Sequence, residues 1–243
     1  MRIRDLVAPN PGPFTLDGTR TYLLGDHIVI DPGPAIDSHV RAILQAQPQL
    51  RTILITHRHG DHAPAAVPLW QATGARIAAP PGVLDNPEGV ADGDVVEGLE
   101  VIATPGHTRE HVCFLTPDGD LFTGDTILGA GTTTIFPPDG SMGDYIRSLE
   151  KLRARNPRRI YPAHGPTRDD AVALIDEYIA HRLDRERQII EALPGTVPEM
   201  RETIYPDLDA RLHGAAETQI TAHLIKLMEE GRVLQSEDAY RLS

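Results

Sequence analysis

Apolar residues in this chain come in short runs that are separated by turns containing glycine or proline. The runs at 52–56 and 99–103 are rich in Ile, Val and Leu, and their length and β-branched content favour strands over helices. The same pattern predicts further strands at 20–24, 27–31, 76–79, 94–96, 111–116, 120–123 and 159–161. The first two of these flank Gly25-Asp26 and form a predicted hairpin.

Longer segments in which apolar residues recur every three to four positions predict helices. In the segment at 142–155, Tyr145, Leu149 and Leu152 fall on one face. The same period predicts further helices at 38–47, 63–72 and 168–193. Strands interrupted by covering helices indicate a mixed α/β fold, and periodicity alone gives no finer answer.

The C-terminal part has its own pattern, which follows a break at 194–198 that is a candidate linker. It predicts a short helix, a longer helix that stops at Gly231 and a two-strand wing, at 198–204, 212–230 and 233–242. This order resembles a winged-helix module. Because the candidate recognition stretch 217–230 holds only Lys226 as a base, a structural or dimer-forming cap is favoured over nucleic-acid binding.

Composition bounds the class of protein. The chain has 243 residues, of which 40% are hydrophobic and 24% charged, as expected for one large globular domain or one domain with a small appendage. The net charge of −12 disfavours nonspecific nucleic-acid binding through a basic face. No apolar run approaches the ~20 residues of a membrane helix. Residues 1–5 lack a signal-peptide apolar core, so a cytoplasmic protein is expected.

Side-chain nucleophiles find little support in the sequence. Cys113 is the only cysteine, so no intrachain disulfide can form, and its apolar neighbours Val112 and Phe114 indicate a buried, inert thiol. The sequence contains no G-x-S-x-G serine elbow, P-loop or dinucleotide-binding fingerprint. Neither a cysteine nor a serine nucleophile is therefore expected.

The strongest chemical signal is the H-x-H-x-D-H stretch at 57–62, which directly follows the predicted strand at 52–56. Imidazole nitrogens and carboxylate oxygens are the ligands that zinc prefers beside thiolate. Three later segments also end a strand-like run with a glycine or proline turn that carries His107, Asp125 or His164. Loops placed by a rigid sheet commonly build metal sites.

The candidate ligands are too many for one tetrahedral zinc ion. They are His57, His59, Asp61, His62, His107, Asp125 and His164. This number suits two metals that share a carboxylate and a solvent oxygen.

These four motifs, in this order, resemble the metallo-β-lactamase superfamily. The resemblance implies an αββα sandwich over residues 1–167, which we expect to be followed by a long connecting helix at 168–193 and the winged-helix-like module at 194–243. It also implies that His57, His59 and His107 hold a first metal. Asp61, His62 and His164 would then hold a second metal, with Asp125 as the bridge.

A narrower resemblance covers nearly the whole chain. The segments at 10–23, 124–133 and 178–182 are similar to the β-lactamase-like-protein-2 family, whose animal member is a mitochondrial endoribonuclease acting on single-stranded RNA. This resemblance implies an endoribonuclease. Arg20 and Arg58 stand where that family tends to have Asn and an aromatic residue, which favours a change in substrate choice.

The expected cofactor is two Zn²⁺ per chain, with iron or manganese as alternatives, and a metal-bridging hydroxide would be the nucleophile. Asp61 has a second expected role, because it could orient this hydroxide and accept its proton. Thr108 and His111 directly follow His107 and are candidates for fixing ligand orientation. Substrate contacts are predicted for Arg20, His181 and Arg182.

Three classes of function stay open at this level. A hydrolase of single-stranded RNA is one, and a hydroxyacylglutathione-type thioesterase or another lactone or β-lactam hydrolase is the second. The third is a non-enzymatic, metal-stabilised interaction protein, which the complete ligand set disfavours. A homodimer is compatible with all three.

Overall fold

Two β-sheets form the centre of the molecule in a computed structural model that describes residues 1–85 and 87–243. Within these residues the first sheet has six strands, each paired with the next along the chain: β1 (Ile3–Val7), β2 (Arg20–Leu24), β3 (Ile28–Ile30), β4 (Thr52–Leu54), β5 (Arg76–Ala79) and β6 (Glu88–Gly89). The second sheet runs in the order β11–β10–β9–β8–β7, with β7 (Val95–Val96), β8 (Leu99–Ala103), β9 (Val112–Leu115), β10 (Asp120–Gly124) and β11 (Arg159–Pro162).

Helices cover the outer faces of both sheets. Helices α1 (Asp37–Ala46) and α2 (Ala66–Thr73) pack on the first sheet, and α3 (Met142–Ala154) and α4 (Ala171–Glu191) pack on the second. A third apolar core lies between the sheets, where the rings of Tyr22 and Phe122 meet edge to face at 5.1 Å. Four layers therefore bury three cores, and the αββα sandwich is confirmed.

Strand direction brings the candidate ligands to one edge of the sandwich. Strands β3, β4 and β5 are parallel, and β10 is parallel to β11. Because β8 and β10 are both antiparallel to β9, β8 also runs with β10. The ligand segments follow the carboxyl ends of β4, β8, β10 and β11, which is where sites in such sheets are usually found.

The C-terminal module begins inside the segment predicted to be a linker. There β12 (Gly195–Thr196) pairs with β14 (Ala239–Leu242), which also pairs with β13 (Val233–Ser236). Thr196 then caps α5 (Val197–Ile204) through a reciprocal capping box with Glu199. The linker prediction was wrong, because Gly195 begins β12 and Pro198 lies in the first turn of α5. These residues are part of the module itself.

The long helix α4 belongs to two apolar cores. Leu174, Ile175 and Tyr178 pack with α3 and the second sheet, whereas Ile189 packs with α6 (His213–Glu229) in the core of the C-terminal module. A short 3₁₀ turn, Ala210–Leu212, leads into α6. None of the helices within the described residues is both long and apolar enough to cross a membrane.

Candidate dinuclear metal site

Glycines allow the ligand loops to approach closely. Gly124, with φ +47°, ends β10 directly before Asp125, and a Cβ there would lie 2.5 Å from Thr56 Oγ1 and 2.8 Å from His111 Nε2. Gly106, with φ +144°, precedes His107, and its Cβ would lie 2.4 Å from Tyr145 Cα. Both positions combine positive φ with no room for a side chain, so each requires glycine.

The first group of ligand atoms comes from three imidazoles and one carboxylate. His59 Nδ1 lies 2.9 Å from His57 Nε2 and 3.0 Å from His107 Nε2. Asp125 Oδ2 lies 3.4 Å from His107 Nε2. One ligand atom from each of the four residues lies within 4.8 Å of all the others, close enough to surround one ion.

The second group lies on the other side of Asp125. Asp61 Oδ2 is 3.4 Å from His62 Nε2 and 3.2 Å from His164 Nε2. Asp125 Oδ1 is 3.4 Å from the same His62 atom and 3.2 Å from the same His164 atom. The two carboxylate oxygens of Asp125 therefore face different ligand groups, which is the arrangement of a bridging ligand.

Buried atoms without partners show that this donor set fits bound cations. His62 Nε2 and Asp125 Oδ1 are buried and make no hydrogen bond to any residue that the structure describes, although such atoms in proteins are almost always paired. Imidazole nitrogens within 3.0 Å of each other also point at the same space. Divalent metals that accept nitrogen and oxygen ligands, such as zinc, iron and manganese, would satisfy these atoms.

The protonation states suit the same interpretation. Burial, reinforced by the neighbouring His62 and His111, holds the pKa of His57 well below its usual value, so this ring is neutral, as a metal-binding imidazole must be. Burial also lowers the pKa of His62, but the carboxylates of Asp125, Asp61 and Asp31 outweigh it and raise that pKa well above its usual value. The centre holds an excess of carboxylate charge, which attracts cations.

Asp31 is a supporting residue that the sequence analysis missed. Its carboxylate accepts hydrogen bonds from the Thr56 N–H and Thr56 Oγ1, both at 2.8 Å, and lies 3.0 Å from His62 Nδ1. The residue is only 2% exposed and has φ +46°. A carboxylate behind the imidazole fixes the ring so that Nε2 points into the site. The available signal was an acid at the carboxyl end of β3, next to β4.

His111 supports the ligands from behind the first group. Its ring stacks on His57 with centroids 4.8 Å apart. His111 Nε2 accepts from the Asp125 N–H at 3.2 Å, and Nδ1 lies 3.0 Å from Thr104 Oγ1. Thr108 is also buried beside His107, but its hydroxyl has no protein partner. Thr19, which the sequence analysis did not select, donates from Oγ1 to Asp61 Oδ2 at 2.9 Å.

The predicted substrate-binding arginines are engaged elsewhere. Arg20 Nε donates to the Gly165 carbonyl at 2.6 Å, and its other nitrogens pair with Asp5 and Asp17. Arg182 is buried and donates to the Thr133 carbonyl at 2.5 Å. His181 lines a second, adjoining cavity of about 320 Å³ and not the large one. Neither arginine lines the large cavity that opens onto the ligands.

That large cavity has a volume of about 870 Å³. Its floor is made by the ligands His59, Asp61, His107, Asp125 and His164. The remaining wall is uncharged except for Asp209 and Arg211, which pair with each other at 2.7 Å. The size suits a small-molecule ligand, and the wall offers a polyanion no unpaired cation.

Comparison with known proteins identifies the family. A sequence profile described as Metallo-beta-lactamase superfamily matches residues 15–90 and 76–164. The chain belongs to the metallo-β-lactamase superfamily. A second profile, Beta-lactamase associated winged helix domain, matches residues 196–241. The predictions of this superfamily and of a winged-helix module are confirmed, and so is the prediction of a metal-dependent hydrolase, with the substrate left open.

Relatives along most of the chain carry two kinds of name. A Beta-lactamase-like protein 2 homolog from Caenorhabditis elegans is 37% identical and covers 94% of this chain and 84% of its own length. This similarity confirms the narrower resemblance. An Atrochrysone carboxyl ACP thioesterase from Cryptosporiopsis sp. (strain 8999) is 31% identical and covers 96% of this chain and 81% of its own length.

Solved structures of metallo-β-lactamase proteins share the fold. A metallo-beta-lactamase family protein from Thermus thermophilus superposes with a TM-score of 0.80 at 22% identity, over 99% of this chain and 98% of its own. Another protein, solved in a di-iron-bound form, has a TM-score of 0.61 at 24% identity and covers 72% of this chain and 98% of its own. At these identities the similarity establishes the fold only.

Proposed function

We propose that this superfamily member is a dinuclear zinc-dependent hydrolase of carboxylic thioesters and esters. The observation that carries the proposal is the cavity, because its wall is largely apolar, its charged residues Asp209 and Arg211 pair with each other, and five of the seven candidate metal ligands form its floor. Such a wall suits the carbon skeleton of an acyl group. The two groups sharing Asp125 support two metals per chain, and the di-iron form of a protein of this fold keeps iron as the rival metal.

Each residue of the site has a separate role in this proposal. Bound metals would activate water and polarise the scissile carbonyl as Lewis acids. Asp125 presents one carboxylate oxygen to each ligand group and so sets their separation. Asp61, oriented by the Thr19 hydroxyl, is placed to orient the attacking water and to accept its proton on Oδ1. Asp31 and His111 hold the His62 ring and the Asp125 backbone in position.

The choice of thioester over RNA follows from charge. An RNA strand needs cationic or stacking contacts along its backbone and bases. Arg211 is the basic residue among the described residues of the cavity wall, and Asp209 neutralises it. A relative that matches 96% of this chain is named an Atrochrysone carboxyl ACP thioesterase, which supports the same substrate chemistry.

A substrate panel tests the proposal. Zinc-loaded protein is assayed against an acyl thioester, a lactone, a chromogenic β-lactam and a single-stranded RNA, with His59→Ala as the matched control. We expect thioester hydrolysis that the control lacks. Metal-dependent internal cleavage of RNA without thioester turnover would instead establish the endoribonuclease that the family resemblance implied.

A further inference from the structure

We infer that the C-terminal module completes the substrate site and makes the enzyme select thioesters with large apolar acyl groups. This inference rests on the proposed thioesterase function and deepens it. It assigns specificity to Phe14, Phe136, Leu212 and Ala215, and a positioning role to Gln219.

The wall of the large cavity is shared between the sandwich and the module. Phe14 and Phe136 come from two sandwich loops and meet edge to face, with ring centroids 6.3 Å apart. Leu212 and Ala215 come from the start of α6 and the turn before it. The cavity is therefore open on one side without the module.

Exposed apolar side chains concentrate at this cavity. Phe14 is 64% exposed and Leu212 53% exposed, and Leu16 and Phe136 are exposed beside them. All four line the cavity that ends at the metal ligands. A contiguous exposed apolar surface that leads to a catalytic floor indicates a binding site for an apolar group. The acyl chain of the substrate is the occupant that fits, since its carbonyl must reach the floor.

Gln219 of α6 fixes the loop that carries Phe136. Its Oε1 accepts from the Ile135 N–H at 3.3 Å, and its Nε2 donates to the Ile135 carbonyl at 2.9 Å. The residue before, Thr134, has its carbonyl 3.0 Å from His107 Nδ1. Gln219 thus holds a segment that contacts a metal ligand on one side and places a wall residue on the other.

The same segment is tied to the bridging ligand. Thr133 Oγ1 donates to the Asp125 carbonyl at 2.8 Å, and Arg182 of α4 donates to the Thr133 carbonyl. Residues 133–136 therefore connect His107 and Asp125 to α4, α6 and the apolar wall. Changes in the module should reach substrate selection through this segment.

Acyl-chain length is the variable that tests the wall. Acetyl, hexanoyl and decanoyl thioesters of N-acetylcysteamine are compared on the zinc-loaded full-length enzyme. We expect kcat/KM to rise with chain length, by up to about fourfold for each methylene that becomes buried. Phe136→Ala should lower the ratio of kcat/KM for the decanoyl substrate to that for the acetyl substrate about tenfold. Leu183→Ala, an exposed apolar change on α4 outside the cavity, is the matched control and should leave this ratio unchanged.

Ala215→Phe tests the module's share of the wall by filling the cavity. It should abolish the preference for decanoyl over acetyl while acetyl turnover persists.

Gln219→Leu should lower the decanoyl-to-acetyl ratio and alter the visible spectrum of the cobalt-substituted enzyme through His107. Gln219→Glu keeps the acceptor for the Ile135 N–H and should restore part of the ratio. A Gln219→Leu variant that loses thermal stability but keeps both ratio and spectrum would show a purely structural role.

Two outcomes separate this inference from the proposed function. If wild type hydrolyses all three thioesters equally and the wall variants match it, selection by the cavity wall is disproved and the thioesterase function stands. If no thioester is hydrolysed, calorimetry with the non-hydrolysable decyl thioether of N-acetylcysteamine decides. If the thioether binds and Phe136→Ala weakens its binding, the apolar binding role of the cavity wall is supported although the thioesterase function has failed. If the thioether does not bind, both the inference and the proposed function are overturned.

Discussion

The metal-ligand loops and the cavity wall above them differ in how their residues are brought together. The candidate ligands are buried or partly buried and lie at strand ends. Asp31 and His111 support them by accepting hydrogen bonds from the His62 ring and the Asp125 N–H. The wall consists of exposed apolar side chains from distant segments, including Phe14 and Leu212. If the proposed function holds, this difference assigns the chemistry to a centre held by buried hydrogen bonds and substrate selection to surfaces that can change without disturbing it.

The largest expected effect comes from breaking the centre itself. Replacing His59 with alanine removes the imidazole whose Nδ1 lies within 3.0 Å of two other ligand nitrogens. We expect the metal content to fall from about two per chain, with turnover reduced by orders of magnitude. Elemental analysis of protein never exposed to chelator, together with steady-state kinetics, measures both. A variant that keeps full metal content and activity would contradict the assignment.

The next effect separates a supporting residue from a ligand. Asp31→Asn keeps the acceptor for the Thr56 N–H but removes the charge behind His62. Loss of such a partner typically costs about 10–100-fold in metal affinity or activity. Competition with a chelator gives the metal affinity, and Asp26→Asn, in the exposed turn before β3, is the control. Equal affinities in the two variants would show that Asp31 does not act through His62.

A third prediction concerns the contact between α4 and α6, behind the wall. Burial, with the neighbouring Arg182 and Lys226, lowers the pKa of His223 to about 3, and neither ring nitrogen has a partner. Below pH ~6.5 the His223 imidazole is protonated in the unfolded chain but stays neutral in the folded chain down to the lowered pKa. The stability of the protein should therefore fall toward pH 3, by about 1.4 kcal/mol per pH unit from this residue.

His223→Leu should flatten that pH dependence and leave stability above pH ~7 nearly unchanged. Urea unfolding of both proteins at several pH values gives the comparison, since any titration of the metal ligands is common to the two. Parallel curves for variant and wild type would mean that His223 gains its proton without unfolding.

The smallest effect is expected in the core of the second sheet. Burial raises the pKa of the Cys113 thiol to about 12, so the thiolate is absent near neutral pH. Cys113→Ala should keep kcat/KM within about twofold, because the thiol touches neither ligands nor the cavity. Rapid alkylation of the native protein with loss of activity would be incompatible with this.

The sequence predicted which side chains cluster as candidate ligands, because their signal is local. The stretch at 57–62 and the turns at His107, Asp125 and His164 each follow a recognisable strand, and the sandwich brings those strand ends together. Asp31 had no such signal, because its role depends on the pairing of β3 with β4. The break at 194–198 misled for a related reason, since the partner of Gly195 is Tyr240.

Arginine roles were harder to predict than ligand roles. Arg20 has its acceptor in Gly165, 145 positions away, and Arg182 lies over the ring of Tyr145 while donating to Thr133. A guanidinium can bind any nearby acceptor, so its partner depends on tertiary structure and not on the neighbouring sequence. The cavity wall was unpredictable for the same reason, because Phe14, Phe136 and Leu212 become neighbours only in the folded chain.

Because α4 packs in two apolar cores, its length sets the distance and the rotation between the sandwich and the C-terminal module. Ile175 and Ile189 sit on one continuous helix but pack against different partners. One residue inserted between them would turn everything beyond it by about 100° and advance it by about 1.5 Å. Leu212 would then leave the cavity wall and Gln219 would lose its hydrogen bonds to Ile135, although no residue of the site had changed. The number of helical residues between the two cores therefore determines the shape of the cavity as directly as the residues that line it.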